Sequence, residues 1–229
     1  QKRMLVVGGE DCNFESIVPF AGMRALSLDH DPARASRPFD KTRNGFVGSG
    51  GATCLILENE EEVARRRVTP YAEIIGWGQA SDGYNVAISH PDGRGLSDAM
   101  QRAFQDAEIS PTEVDYVNAH APSTPIGDSS ELQALKSVFP EPQRVKVSST
   151  KALTGHGLSL SSVMEAGFCC LALKNKFLPG SANVNELDEE AGHLDVIFET
   201  EDSQAEVMMS NSSGFGGANV SVLFRRHQE

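Results

Sequence analysis

The chain of 229 residues sets 20 Lys and Arg against 32 Asp and Glu, a formal charge of −12, with 39% hydrophobic and 23% charged residues. Its size allows a sizeable core, while its acidity excludes a surface that wraps nucleic acid or anionic lipid, because such surfaces neutralise phosphates with Lys and Arg. Cys12, Cys54, Cys169 and Cys170 have neither zinc-knuckle nor CxxC spacing. No apolar run reaches the roughly 20 residues of a bilayer span and the first residues lack a signal-peptide core, so the expected setting is the reducing cytoplasm.

Residues 4–9, MLVVGG, are a short apolar run closed by glycines and predict a fully buried strand opening into a turn. Apolar residues then recur at helical spacing over 14–26. Residues 45–57, GFVGSGGATCLIL, predict a strand with a glycine-rich bend. Residues 60–67 predict a short helix with an acidic start and a basic end, as the helix dipole favours. A break at 67–71 is the plausible boundary, dividing 1–68 from 69–229. Beyond it come a strand over 71–78, an amphipathic helix over 96–107, a strand over 115–120, a helix over 128–139, a strand over 145–147 and a helix over 160–174. Strands near 207–211 and 219–224 close the chain. This alternation implies a mixed α/β sheet layered with helices, whose reactive residues sit past the carboxyl ends of strands.

Three motifs carry chemistry. His120 ends a strand in VNAHAPSTPIGDSSE, where prolines stiffen the loop, Ser123 and Thr124 offer hydroxyls, and Asp128 and Glu131 follow on a helix. Alone, His120 reads equally as an ordinary strand-end residue, and the two carboxylates as helix caps. SSTKALTGHGL puts Lys151 five positions before His156, the wrong interval for one helical face. A lysine beside an imidazole disfavours the protonated ring and keeps it able to donate or accept a hydrogen bond. In SNSSGFGGAN, Gly214 and Gly216 flank Phe215, and glycines there permit a tight turn with backbone N–H groups aimed at an oxygen, or simply a hairpin.

Taken together and in this order, the three motifs, with RPFDKTRNGFVGSGGA at 37–52, resemble the carboxyl-terminal part of the β-ketoacyl-acyl-carrier-protein synthases, elongating condensing enzymes of the thiolase-like fold. The resemblance runs from Leu5 to Phe224. It implies a layered αβαβα architecture, with 1–68 the end of the amino-terminal half and 69–229 a complete carboxyl-terminal half. It implies that His120 and His156 donate ring N–H groups to a malonyl thioester, that Lys151 keeps them neutral with Glu165 as its carboxylate partner, and that Phe215 gates the pocket while its N–H forms part of an oxyanion hole. Thr124, with Ser123, would meet the phosphopantetheine arm of acyl carrier protein, and Gly214 and Gly216 would shape the substrate turn. No metal or directly bound cofactor is implied.

The sequence also departs from that family. Ala121 and Pro122 replace a usual Gly and Thr, Ser213 a usual Phe, and SLSS at 159–162 a run of Gly and Ala. The family's nucleophilic cysteine lies upstream of residue 1, Cys12 does not match it, and Cys54, Cys169 and Cys170 read as buried inert thiols. The expectation is that another chain or fragment supplies that cysteine, in a dimer of ketosynthase units, and the Gln-Lys-Arg start suits a cut in a surface loop. Two other readings stay open: a non-catalytic chain-length-factor-like partner, disfavoured by retention of His120, Lys151 and His156, and a thiolase acting on coenzyme A esters. Arg65, Arg66 and Arg67 read as a helix end rather than as a carrier-docking patch.

Overall fold

A computed structural model describes residues 1–143 and 145–228. The first strand, β1 (Arg3–Glu10), leads into α1 (Phe14–Gly22), started by the Asn13 side chain accepting the Ser16 N–H at 2.8 Å. After α2 (Pro32–Ala35), β2 (Gly51–Glu58) pairs antiparallel with β1, placing Val7 opposite Cys54 and Leu5 opposite Ile56. Helix α3 (Glu60–Arg66) is capped by Asn59 and carries three glutamates in its first turn. Arg3, Arg65 and Arg66 pair with Glu58 and Glu62, which fastens α3 to the hairpin and occupies two of the three arginines of the basic run.

After α3 come β3 (Glu73–Ser81), α4 (Arg94–Ala107), β4 (Tyr116–Asn118), α5 (Pro125–Val138), β5 (Lys146–Ser148), α6 (Lys151–Thr154), α7 (Ser161–Asn175), β6 (Phe177–Leu178), β7 (Asp195–Val196), β8 (Glu201–Asp202), β9 (Val207–Gly214) and β10 (Ala218–Arg225). Six strands form one mixed sheet in the order β3-β10-β9-β4-β5-β7, with β4 parallel to both β9 and β5. One face is closed by α4 and α5, through Leu96, Met100, Leu132, Leu135 and Phe139 packing on Val117, Val147 and Met209. Each such side chain contributes about 1.5–3 kcal/mol on burial. Helix α4 lies directly on β3, where a Cβ at Gly78 would meet the Ala99 carbonyl at 2.0 Å, so glycine is required there.

The opposite face packs on α7, through Cys169, Ala172 and Leu173 against Tyr116, Met208 and Phe224. Beyond α7 lies the β1–β2 hairpin: Gly8 faces Val163 and Leu160, and Leu55 faces Gly167. The layers therefore run helix, sheet, helix, sheet. Because side chains alternate along a strand, the residues of the other parity point away from α7. Leu5, Val7 and Ile56 are 63%, 63% and 67% exposed.

This corrects two expectations. The strand at 4–9 exists but is not fully buried, since only its inner face has a partner, and Cys54 is exposed on the outer face rather than sequestered. An apolar run reports that a face needs covering, and hydropathy is silent on which polypeptide covers it. The strand expected over 45–57 is regular only from Gly51, before which the chain makes isolated bridges, Phe46 with Leu26 and Gly48 with His156. Helix α5 starts at Pro125, whose fixed φ suits the first helical position, and the lysine of the second motif opens a short helix where a loop was expected. No described helix is long and apolar enough to cross a membrane.

Candidate active site

Strands β4 and β5 are parallel neighbours, Asn118 beside Ser148, so the loops leaving their carboxyl ends emerge on one sheet edge. The first loop is shaped by two buried carboxylates. Glu131 accepts the N–H groups of His120 and Ala121 at 3.0 and 2.7 Å, and Asp128 accepts those of Ser123 and Thr124 at 3.1 Å each. The second loop is tied to the first by Ser149 Oγ donating to the Ala121 carbonyl at 2.7 Å. Gly155 takes φ +67°, and a Cβ there would stand 2.8 Å from the Val47 carbonyl, which is the acceptor for the His156 N–H at 2.7 Å.

These loops bring the rings of His120 and His156 to a centroid separation of 5.2 Å at 85°. His156 Nδ1 is 3.0 Å from Ser161 Oγ, so a Ser161 hydroxyl donating to Nδ1 places the ring proton on Nε2. His120 Nδ1 is buried with no hydrogen-bond partner among the described residues. Below the rings, Lys151 pairs with Glu165 from α7, both side chains fully buried, and Glu165 Oε2 has no partner among the described residues.

Burial is the first cause that lowers both histidines, and the charge of Lys151 is the second: His120 falls well below its usual value and His156 to about 3. The expected role of Lys151 is thus joined by a larger one for desolvation. Burial pushes Glu165 up to about 7 against the pull of Lys151, and Asp128 up to about 7 against the pull of Arg43. Both imidazoles are neutral near pH 7 and each can donate one N–H.

Phe215 lies between β9 and β10, about half exposed, and stacks on Phe20 at 5.7 Å. Phe20 meets Phe46 at 5.3 Å and Phe46 meets His156 at 5.2 Å, a continuous aromatic run from the turn to the ring pair. The turn is clasped by Asn219, which receives Ser213 Oγ at 2.7 Å and donates to Asp82 at 2.9 Å. The Gly216 N–H donates to the Val86 carbonyl at 2.7 Å, so that amide is already engaged, while Gly214 faces open space. Thr124 is the N-cap residue of α5, and its hydroxyl makes no capping bond. Ser123 is fully buried, and its Oγ accepts the Arg37 N–H at 3.0 Å.

Cys54, Cys169 and Cys170 do not complete this site. Burial raises Cys169 well above its usual value and Cys170 to about 11, the opposite of what a nucleophile needs. Cys54 faces away from α7. Sequence reasoning missed one contributor, Ser161, and gave the segment at 37–52 as a motif without its contacts to the two histidine loops. Ser161 lies in the SLSS stretch that marks a departure, and its signal was a hydroxyl five residues after the histidine.

The layered α/β fold thus brings two neutral imidazoles together near a buried ammonium–carboxylate pair. The "Beta-ketoacyl synthase, C-terminal domain" description matches residues 71–185 and "Beta-ketoacyl synthase, N-terminal domain" matches residues 1–63. The chain belongs to the β-ketoacyl synthase family, with the thiolase-like architecture of its relatives. It is 39% identical to 3-oxoacyl-[acyl-carrier-protein] synthase 1 of Escherichia coli (strain K12) over 96% of this chain and 53% of that protein. A β-ketoacyl synthase from Burkholderia phymatum STM815 superposes with a TM-score of 0.95 at 36% identity, covering 100% of this chain and 55% of the other. A ketosynthase in a type II polyketide complex with its acyl-carrier protein, bound to a hexaketide, superposes at 0.94 and 30% identity over 99% and 57%. The chain spans about half the length of the relatives it matches.

Proposed function

We propose that this chain carries the decarboxylation site of a 3-oxoacyl-acyl-carrier-protein synthase. The malonyl thioester carbonyl oxygen would accept Nε2–H of His156 and the ring N–H of His120. The C–C bond to the carboxylate then breaks, carbon dioxide leaves, and the electron pair is held as an enolate whose oxygen the two rings stabilise. That carbanion equivalent attacks an acyl thioester held on a cysteine and expels the thiolate. Phe215 would screen the cleft, and the hydroxyl of Thr124 would meet the phosphopantetheine arm of the carrier.

The observation that carries this reading is the ring pair itself, two neutral imidazoles 5.2 Å apart at the carboxyl ends of adjacent parallel strands. The acylated cysteine is assigned to a polypeptide that covers the outer face of the β1–β2 hairpin. Support for it comes from the apolar Leu5, Val7 and Ile56 on that face and from the raised thiols of α7. The carrier and the dimer of ketosynthase units belong to the same proposal. The test is carbon dioxide release from malonyl-acyl-carrier protein by the complete enzyme. His120→Ala and His156→Ala should each lower it about 10²–10³-fold, the loss seen when one oxyanion donor is removed. Release unchanged in both variants would overturn the assignment.

A further inference from the structure

The motif RPFDKTRNGFVGSGGA has no chemistry of its own in the proposed reaction, yet the stretch from Ser36, the residue just before it, to Val47 runs between the two histidine loops. It touches both of them twice. At its start, Ser36 Oγ donates to the Lys151 carbonyl at 2.7 Å, and the next amide, Arg37 N–H, donates to Ser123 Oγ at 3.0 Å. At its far end, Gly45 N–H donates to the Ser123 carbonyl at 3.0 Å, and two residues on the Val47 carbonyl accepts the His156 N–H at 2.7 Å. Each pair forms a crossbar a residue or two wide, one end on Ser123 of the first loop and the other on the second loop between Lys151 and His156.

The contacts are buried and supported from both sides. Ser36 is 5% exposed, and its carbonyl accepts Asn183 Nδ2 at 2.9 Å, the same group that donates to the Ala152 carbonyl at 3.3 Å. Ser123 holds φ +80°, a left-handed conformation that a non-glycine residue keeps only when its surroundings over-determine it. Here both its side-chain oxygen and its carbonyl are gripped by the strap. Between the crossbars, Arg43 donates to the Pro125 carbonyl at 3.0 Å and Phe39 N–H to Asp128 at 3.0 Å, anchoring the strap to the start of α5.

We infer that residues 36–49 are a spacer that sets the separation of the two imidazoles, with Ser36 and Ser123 as its positioning residues. Neither hydroxyl reaches the cleft; each acts by holding one loop against the strap. The inference rests on the proposed function only for its catalytic consequence, and its geometric content stands without it.

The experiment uses the complete enzyme and compares wild type with Ser36→Ala, Ser36→Thr and the double variant Ser36→Ala/Ser123→Ala. Crystal structures read the ring separation, and carbon dioxide release from malonyl-acyl-carrier protein reads kcat and KM. Expected are rings displaced by about 0.5–1 Å in Ser36→Ala and further in the double variant. A displacement of that size costs about 10- to 100-fold in kcat with KM nearly unchanged, and Ser36→Thr, which keeps the hydroxyl, restores both. The main-chain crossbar at Gly45 and Val47 remains in all variants, and a cooperative melt confirms folding. Rings unmoved in the double variant would overturn the inference, as would a KM-only defect. Displaced rings in an enzyme whose wild type releases no carbon dioxide would leave the spacer standing and overturn the proposed function instead.

Discussion

The Lys151–Glu165 pair makes a prediction that can be worked through. Both side chains are fully buried, and Glu165, pushed up to about 7 by burial, is held that low only by the ammonium. In Lys151→Met the opposing pull is gone, so the carboxyl rises further and keeps its proton through neutrality. A raised folded-state value means stability that is present at low pH and lost as pH climbs through that value. Between pH 6 and pH 8 the wild type passes its midpoint near 7 and loses about 1.4 kcal/mol, whereas a variant titrating near 9 or above loses about 2.7 kcal/mol over the same interval. The destabilisation by Lys151→Met should therefore grow by about 1.4 kcal/mol from pH 6 to pH 8, on top of the loss from breaking a buried pair, which totals about 3–5 kcal/mol in other buried pairs. Adding Glu165→Gln should recover most of the pH-dependent part, because no ionisable group remains. Urea unfolding of the four proteins of this cycle at both pH values is the assay. Equal destabilisation at pH 6 and pH 8, or a double variant whose pH dependence matches Lys151→Met, would refute the reasoning.

Further predictions follow the same geometry. His156, lowered to about 3, contributes stability that is complete above about 6.5 and drains away as pH falls toward 3, up to about 5 kcal/mol over that range, so acid unfolding should begin below 6.5 and be blunted in His156→Asn. Gly155→Ala forces a left-handed φ and a Cβ 2.8 Å from the Val47 carbonyl; a stability loss of about 1–3 kcal/mol is expected, with decarboxylation falling more steeply than the fraction folded. Cys54 should react with a maleimide in this chain alone and be protected in the complete enzyme, and Ile56→Asp should abolish assembly while leaving the far-ultraviolet spectrum of the chain unchanged; equal labelling in both states would remove the covering partner from the outer face.

Much of the fold was legible because its signals are local. Alternating apolar strands and amphipathic helices gave the longer elements, with errors of a few residues where a proline opened α5 or glycines dissolved the start of β2, but they left out the short α6, β6, β7 and β8, of which β7 belongs to the central sheet. The ring pair was legible for a different reason: parallel neighbours expel their loops on one edge, so a histidine after β4 and another after β5 are brought together by topology. What sequence could not show was which contacts are made by main chain. The strap grips both loops largely through amides and carbonyls, which every residue type carries, so the motif at 37–52 could be recognised while its contacts with the loops could not. The burial of Ser123 was hidden for a related reason, since a hydroxyl in a loop gives no sign of which way it points. The outer face of β1 was misread because hydropathy counts apolar residues and is blind to which face of a strand is covered.

The electrostatics of the pair explain why a buried ammonium is placed where burial alone already keeps the imidazoles neutral. Desolvation disfavours every charge, including the enolate that the proposed reaction must form, so a site that was merely dry would penalise imidazolium and transition state alike. A fixed positive charge breaks that symmetry: it adds to the penalty on a protonated ring and opposes the penalty on negative charge growing at the thioester oxygen. Its advantage is absent with neutral substrate oxygen and grows as the C–C bond breaks, which is the differential binding that accelerates a step. Glu165 then sets how much of that charge is felt. Poised at about 7, it is close to half protonated at neutral pH and screens Lys151 only in part, whereas a fully ionised carboxylate would cancel most of the field. Glu165→Gln should therefore leave decarboxylation intact or faster at neutral pH while removing its dependence on pH between 6 and 8, and a slower variant with that dependence preserved would assign the titration to another group.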